Sequence, residues 1–395
     1  MQNQVPPQFN LGPKKFLFAN DCIFIDAIVC LICCSLKSSL RRMLEKVLPL
    51  YSISDTATIQ SFGSGLIHNT WKIDDQSKEY ILQKINHEVF KEPSFIADNI
   101  TGIASWLEKN HPEYFFVSPL RTKEMESIVH IPGEGYFRLF PFVKDSRTHD
   151  IAQTPQQAFE AARQFGSFTR VLNDFPVQDL KITLPDFHNL SFRYAQFEEA
   201  IRSGDRPRIA EAEKTIHYLY SHNDILSTYQ QIISDKEFKL RVTHHDTKIN
   251  NVLFDKNEKG ICVIDLDTLM PGYFISDVGD MIRTYLSPVS EEEKNFDKIC
   301  IRENFFYAIA RGYLEEMGKE LSQAEIDHFV YSGLFMTYMQ ALRFLTDHLN
   351  KDKYYGAAYP GHNYIRAMNQ VTLLQRLLES QAELTRMVAR IRLWH

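Results

Sequence analysis

The run His244-His245-Asp246-Thr247-Lys248-Ile249-Asn250-Asn251-Val252-Leu253-Phe254, followed by Val263-Ile264-Asp265-Leu266-Asp267, decides how the chain is read. It is the densest polar cluster in the sequence, and apolar residues bracket both parts. The segment Leu240 to Asp267 reads as a β island. An Asp and an Asn at the mouth of one hairpin, with a further Asp ending the returning strand, can converge on a point.

Around this island the pattern is helical. Apolar periodicity marks helices near Arg208 to Ile233, Glu291 to Met317, Ala324 to His348 and Asn363 to Arg390. Upstream, Phe159, Ala162, Phe165, Phe168 and Leu172 form a stripe behind the helix start Thr154-Pro155. Before Val143 the character changes to strands: Ile59 to Phe62, Thr70 to Ile73 and Tyr80 to Ile85, with Asp74-Asp75 as turn residues. A helix is expected from about Ser94, behind Pro93. Two more strands, Ser127 to His130 and Tyr136 to Phe142, flank the hairpin signal Pro132-Gly133-Glu134-Gly135. The order predicts an α+β, bilobal protein: a small antiparallel β lobe over residues 44–143, a linker near Phe140 to Asp145, and a larger, mostly helical lobe over residues 144–395. The crevice between such lobes is a favoured ligand site and suits a mononucleotide.

Composition narrows the classes. The 395 residues suggest two to three domains at about 150 residues each. A hydrophobic share of 44% with 24% charged residues describes an ordinary globular protein and argues against fibrous or wholly disordered chains. Lys and Arg total 44 against 50 Asp and Glu, a net charge of −6, so no overall basic field attracts nucleic acid or anionic lipid. Of six cysteines, Cys22, Cys30, Cys33 and Cys34 crowd near the N-terminus and only Cys262 and Cys300 follow. That is no disulfide framework, and it favours a reducing compartment. The apolar run Cys22 to Leu36 is short for a membrane span, carries Asp26 and has no small-residue cleavage site behind it. Residues 1–43 read as an N-terminal extension, either an apolar helix or a start-site artefact ahead of Met43.

The polar cluster suits phosphoryl transfer, which needs a carboxylate to accept a hydroxyl proton and oxygen ligands to hold Mg²⁺ on nucleotide phosphates. Asp246 is the candidate base. Asn251 and Asp265 are the candidate magnesium ligands, with Asp267 as a further ligand or a support, since alternation along a strand lets it share a face with Asp265. A zinc hydrolase is a weaker reading, because no His or carboxylate stands at helical metal-motif spacing from His244 and His245. His244 is expected to orient the loop.

The pattern His-x-Asp-x-x-x-x-Asn, met by His244, Asp246 and Asn251, with Ile264-Asp265 after it, resembles the aminoglycoside phosphotransferase and choline kinase family. The resemblance implies a protein-kinase-like fold and extends over roughly Leu44 to Leu378. Within the family the wording is most similar to the N-acetylhexosamine 1-kinases, on Gly63-Ser64-Gly65-Leu66-Ile67-His68-Asn69-Thr70-Trp71, Leu82-Gln83-Lys84-Ile85-Asn86, Arg138-Leu139-Phe140-Pro141-Phe142 and Ile264 to Gly272. Such enzymes are implied to move the γ-phosphate of ATP onto the anomeric C1 hydroxyl of N-acetylglucosamine or N-acetylgalactosamine.

The resemblance also implies a nucleotide loop at Gly63, Ser64 and Gly65. It implies a third-strand cation on the phosphates, for which Lys84 is the candidate, with Gln83 as the alternative position in the family's alignment. Glu88 or Glu92 could partner that cation. Asp277 and Asp280 read as an N-cap or loop anchors. Arg283 reads as a sugar or phosphate contact or as the partner of a nearby acid, and Asp186, His188, Arg193 and Tyr194 as sugar contacts. A choline, ethanolamine or homoserine kinase is the rival within the class, and a non-catalytic nucleotide-binding pseudokinase the rival outside it. ATP supply makes the cytoplasm the expected location, with a monomer as the expected state.

Overall fold

The computed structural model describes residues 43–63, 67–76 and 78–392. Ser64, Gly65, the run Cys22 to Leu36 and the four N-terminal cysteines lie outside the described residues. Five antiparallel strands make the small lobe: β1 (Thr58–Ser61), β2 (Asn69–Asp75), β3 (Lys78–Ile85), β4 (Val129–Ile131) and β5 (Gly135–Pro141), in the order β1-β2-β3-β5-β4. Period-two alternation gives the sheet two faces. Trp71, Leu82 and Leu139 lie opposite one another and bury with Ile73, Phe137 and Val129 against Val47 and Leu48. Thr70, Gln83 and Arg138 share the other face, toward the large lobe.

The helix α1 (Pro93–Asn110) begins at the expected proline. It buries Ile96, Ile100, Ile103 and Leu107 in the core of the large lobe rather than in that of the sheet. Its buried Asn99 side chain donates to Lys181 O and Leu269 O, both at 2.8 Å, and accepts from Lys181 N at 2.7 Å. One satisfied amide thus ties the helix to the loop that follows Asp267.

The large lobe is helical: α2 (Pro155–Val171), α3 (Leu190–Ser203), α4 (Arg206–Glu211), α5 (Glu213–Ser221), α6 (Asp224–Ser234), α7 (Phe274–Tyr285), α8 (Glu303–Met317), α9 (Gln323–Asp327), α10 (Phe329–Leu349) and α11 (His362–Arg392). Thr154 and Gln157 form a reciprocal capping box at the start of α2, which buries Ala162, Phe165 and Phe168. Three expected helices differ, and one of them, Ala324 to His348, is divided at His328 into α9 and α10. The span Arg208 to Ile233 is broken into α4, α5 and α6, because Asp205 caps a short first piece with Pro207 in its first turn and the chain turns again at His222 and Asn223. The span from Glu291 yields a helix only from Glu303. Glu291 faces Arg283 and Arg366 instead, and Asn295 caps a single 3-10 turn, Phe296–Lys298. Among the described residues no helix is long and apolar enough to cross a membrane.

The β island is two ribbons: β6 (Arg241–Thr243) with β9 (Met270–Gly272), and β7 (Val252–Phe254) with β8 (Gly260–Val263). Asn251 immediately precedes β7, and Asp265 follows β8 by two residues.

Candidate active site

The loop from His244 to Asn251 is held from below by α7. Asp277 accepts the backbone N–H groups of His244 and His245 at 3.0 and 2.8 Å. Asp280 accepts that of Thr247 at 2.9 Å, and the Tyr285 hydroxyl donates to Thr247 O at 2.5 Å. Thr268 Oγ1 donates to His244 O at 2.5 Å. These bonds keep His245 at φ +64°, a left-handed conformation that a side chain occupies only when its surroundings over-determine it. Asp265 is left-handed too, at φ +61°. Asp277 and Asp280 are therefore loop anchors, and Tyr273 holds the N-cap position. His244, buried between Phe165 and Phe168, meets Ile264 O at 3.0 Å and so ties the loop to the Asp265 segment.

Three oxygen-bearing side chains gather at the mouth. The Asn251 amide donates to Asp246 O at 2.8 Å and to Asp246 Oδ2 at 3.0 Å, which turns its carbonyl oxygen away from Asp246. Lys248 Nζ stands 3.0 Å from Asp246 Oδ1. Burial works to raise the Asp246 pKa, but Lys248, His244 and Asn251 outweigh it and hold the carboxyl below its ordinary value. Asp265 behaves oppositely: desolvation, then Asp267 and Asp246, push it up to about 6. That crowding of negative charge would be relieved by a cation.

Among the described residues no group of three or more His, Cys, Asp or Glu forms a metal cage. One carboxylate and one amide oxygen instead fit Mg²⁺, which binds through one or two protein oxygens, substrate phosphates and water. When bound there, the ion would supply charge neutralisation on the transferring phosphates. A cavity of about 520 Å³ elsewhere, between Phe159 and Tyr307, contains none of these groups.

Several expected residues occupy other positions. Asp267 is buried with both oxygens taken: Arg138 Nη1 lies 2.5 Å from Oδ1 and His68 Nε2 lies 2.7 Å from Oδ2. Burial would raise its pKa, but Arg138 and His68 bring it down to about 2. Lys84 is a correction. It pairs across the sheet with Phe137 and Asn69, on the face away from the cleft, while Gln83 is on the cleft face bonded to Arg138. The alternation of Leu82 and Lys84 with Gln83 carried this information in the sequence. Glu88 is exposed beside Lys91, and Glu92 is at the N-cap position of α1. Gly63 has φ +76°, as a turn demands.

On the acceptor side, Arg283 takes the second of its two expected roles and pairs with Asp280 and Glu291 at 3.0 and 2.9 Å. Asp186 accepts from Asn189, and Tyr194 packs on Phe197 and Tyr220. His188 is stacked on Phe187 with its ring centre 5.2 Å from that of His245. Burial first, then His245, Arg343, Arg283 and Arg193, hold His188 well below the usual histidine range. Sequence reasoning passed over Lys248, Arg138, His68 and Arg343. Arg343, on α10, faces the rings of Phe187 and Tyr355 and donates to Gln340.

A sheet lobe over a helical lobe, with a buttressed Asp-Asn loop and a second Asp at the cleft, defines a phosphotransferase of kinase-like architecture. The phosphotransferase enzyme family (APH) matches residues 58–319, and the chain belongs to it. Solved structures share the fold at low identity. A microcompartment-associated aminopropanol kinase is similar at 14% identity with TM-score 0.60, over 87% of this chain and 98% of that one. An amicoumacin kinase in complex with AMP-PNP and Ca²⁺ is similar at 14% and 0.58, over 86% and 96%. An ethanolamine kinase of Plasmodium vivax is similar at 13% and 0.53, over 83% and 85%.

Proposed function

We propose that the chain is an ATP- and Mg²⁺-dependent small-molecule kinase that phosphorylates an N-acetylhexosamine on its anomeric C1 hydroxyl. The observation that carries the kinase reading is the hydrogen-bonded pair Asp246 and Asn251 beside Lys248, with Asp265 near enough for the Asp246 charge to act on it. The acceptor oxygen attacks the γ-phosphorus as the bond to the β–γ bridging oxygen breaks. ADP leaves, and the hydroxyl proton passes to Asp246. Asn251 and Asp265 would hold the metal, which would supply charge neutralisation on the phosphates.

The acceptor class rests on charge. Near the catalytic loop are His188, held well below the usual histidine range first by burial and then by neighbouring positive charge, and Arg343, which has no carboxylate partner among the described residues. We read the Arg343 charge as disfavouring a quaternary ammonium or protonated amine. A neutral ring with hydroxyl and carbonyl oxygens accepts from a guanidinium and packs on Phe187 and Tyr355. The proposed use of ATP makes the cytoplasm the expected location. Incubation with ATP, Mg²⁺ and a panel of N-acetylhexosamines, hexoses, choline and ethanolamine tests the reading. The expected outcome is ADP release with the N-acetylhexosamines and a product phosphorylated at C1. Turnover of choline or ethanolamine with none of the sugars overturns the acceptor assignment, and no turnover with any member of the panel favours a pseudokinase.

A further inference from the structure

Where a third-strand cation is expected on the cleft face, β3 carries the neutral Gln83, and the charge comes from the neighbouring strand. Arg138 Nε and Nη2 both donate to Gln83 Oε1, at 3.0 and 2.8 Å, and Nη1 reaches Asp267 Oδ1 at 2.5 Å. Arg138 and Asp267 are each only 2% exposed, so the guanidinium meets a carboxylate and an amide rather than open cleft. His68, at the end of the β1–β2 connection, takes the other oxygen at 2.7 Å. Its tautomer follows from the backbone N–H of Asn86, which donates to Nδ1 at 3.0 Å and leaves the proton on Nε2. Thr183 Oγ1 donates to the Asp267 carbonyl at 2.8 Å, and Asn99 holds Leu269. Two residues of the small lobe, distant in sequence, thus grip one carboxylate two residues beyond Asp265.

We infer that Arg138 and His68 are positioning residues that hold Asp267 off the divalent cation and thereby aim Asp265, so that one carboxylate of the pair reaches the metal. The inference rests on the reading of Asp265 as a metal ligand. Without the grip, Asp267 is an unpaired carboxylate two residues from Asp265 and can compete with it for the metal. Partners that orient a ligand in this way typically change metal affinity by about 10- to 100-fold.

The test measures binding of a non-hydrolysable ATP analogue to the full chain by calorimetry, with and without a Mg²⁺ titration. Arg138→Gln is expected to weaken the apparent Mg²⁺ affinity by about tenfold or more and to leave metal-free nucleotide affinity within about twofold. If Arg138 acts through Asp267, adding Arg138→Gln to Asp267→Asn costs little beyond Asp267→Asn alone. Should Arg138→Gln misfold, His68→Gln reports the same coupling without unbalancing a buried charge. Unchanged Mg²⁺ dependence, whatever the thermal stability, reduces the grip to an inter-lobe fastening and overturns the inference. An equal loss of metal-free nucleotide affinity also overturns it, because Arg138 then contacts phosphate directly. Asp265→Asn is the control: if it leaves the Mg²⁺ dependence intact, it is the metal-ligand reading itself that fails.

Discussion

Lys248 reaches back two residues to put Nζ 3.0 Å from Asp246 Oδ1, and against the effect of burial that contact contributes most to holding the carboxyl of the proposed base below its ordinary value. The carboxylate enters the reaction ionised, one oxygen beside Lys248 and the other beside the Asn251 amide. Asp246→Asn keeps the shape and removes the basicity. It is expected to lower kcat by at least about 100-fold while nucleotide binding changes only a few-fold, as steady-state kinetics and calorimetry would read. Turnover near that of the parent protein rejects the assignment.

The proposed reading gives Asn251 two tasks: its amide nitrogen steadies Asp246, and its oxygen would serve the metal. Asn251→Ala removes both. Turnover and Mg²⁺-dependent nucleotide affinity should fall together, the latter by about tenfold. A fall in turnover alone, with Mg²⁺ titration unchanged, shows that the amide acts only on Asp246.

Glu291 lies between Arg283 and Arg366. Burial alone would raise it, but the two guanidinium groups bring its pKa down from 4.5 to about 2. A carboxyl depressed in the folded state stabilises fully above its unfolded pKa and loses that contribution as pH falls from about 4.5 toward about 2. The full linkage is worth about 3 kcal/mol, which solvent at a side chain 28% exposed reduces to about 1 to 2 kcal/mol. Thermal melts of Glu291→Gln against the parent should show the largest deficit near neutrality and convergence at the acid end. A deficit constant across that window contradicts the ion-pair account.

Gly279 is in α7 between the two anchoring aspartates, where an added Cβ would stand 2.3 Å from the backbone oxygen of Ser332 in α10. Backbone cannot yield as a flexible side chain does, so Gly279→Ala should destabilise by about 1 to 3 kcal/mol. It should also reduce turnover, because α7 carries Asp277 and Asp280 beneath the catalytic loop. A urea midpoint equal to that of the parent would show that the helices part freely.

The acceptor reading turns on Arg343. Arg343→Ala should raise KM for the sugar by about tenfold, the worth of one charge-assisted hydrogen bond, with a smaller effect on KM for ATP. Arg343→Glu should lose the sugar and admit protonated amines. Competition assays with ethanolamine would detect the switch, and indifference of both variants places the sugar elsewhere.

The sequence by itself pointed to the class and to the candidate residues. The spacing from His244 through Asp246 to Asn251, and the Asp that ends the returning strand, could be read without coordinates because they lie on adjacent turns of one local motif. The order of a strand-rich and a helix-rich half was equally plain, since periods of two and of 3.6 residues are local properties. Even the outward turn of Lys84 was written in the alternation around Leu82.

Tertiary structure decided which charges meet. In one dimension Asp267 could be read as a further metal ligand or as a support, and only the approach of Arg138 and His68 from another lobe showed both its oxygens to be ion-paired. Arg343 and His188 come together from helices and loops far apart along the chain, and nothing in either local sequence marks the encounter. Electrostatic partnership depends on distance in space, which falls between residues of any separation, whereas pattern and propensity act only over a few neighbouring residues.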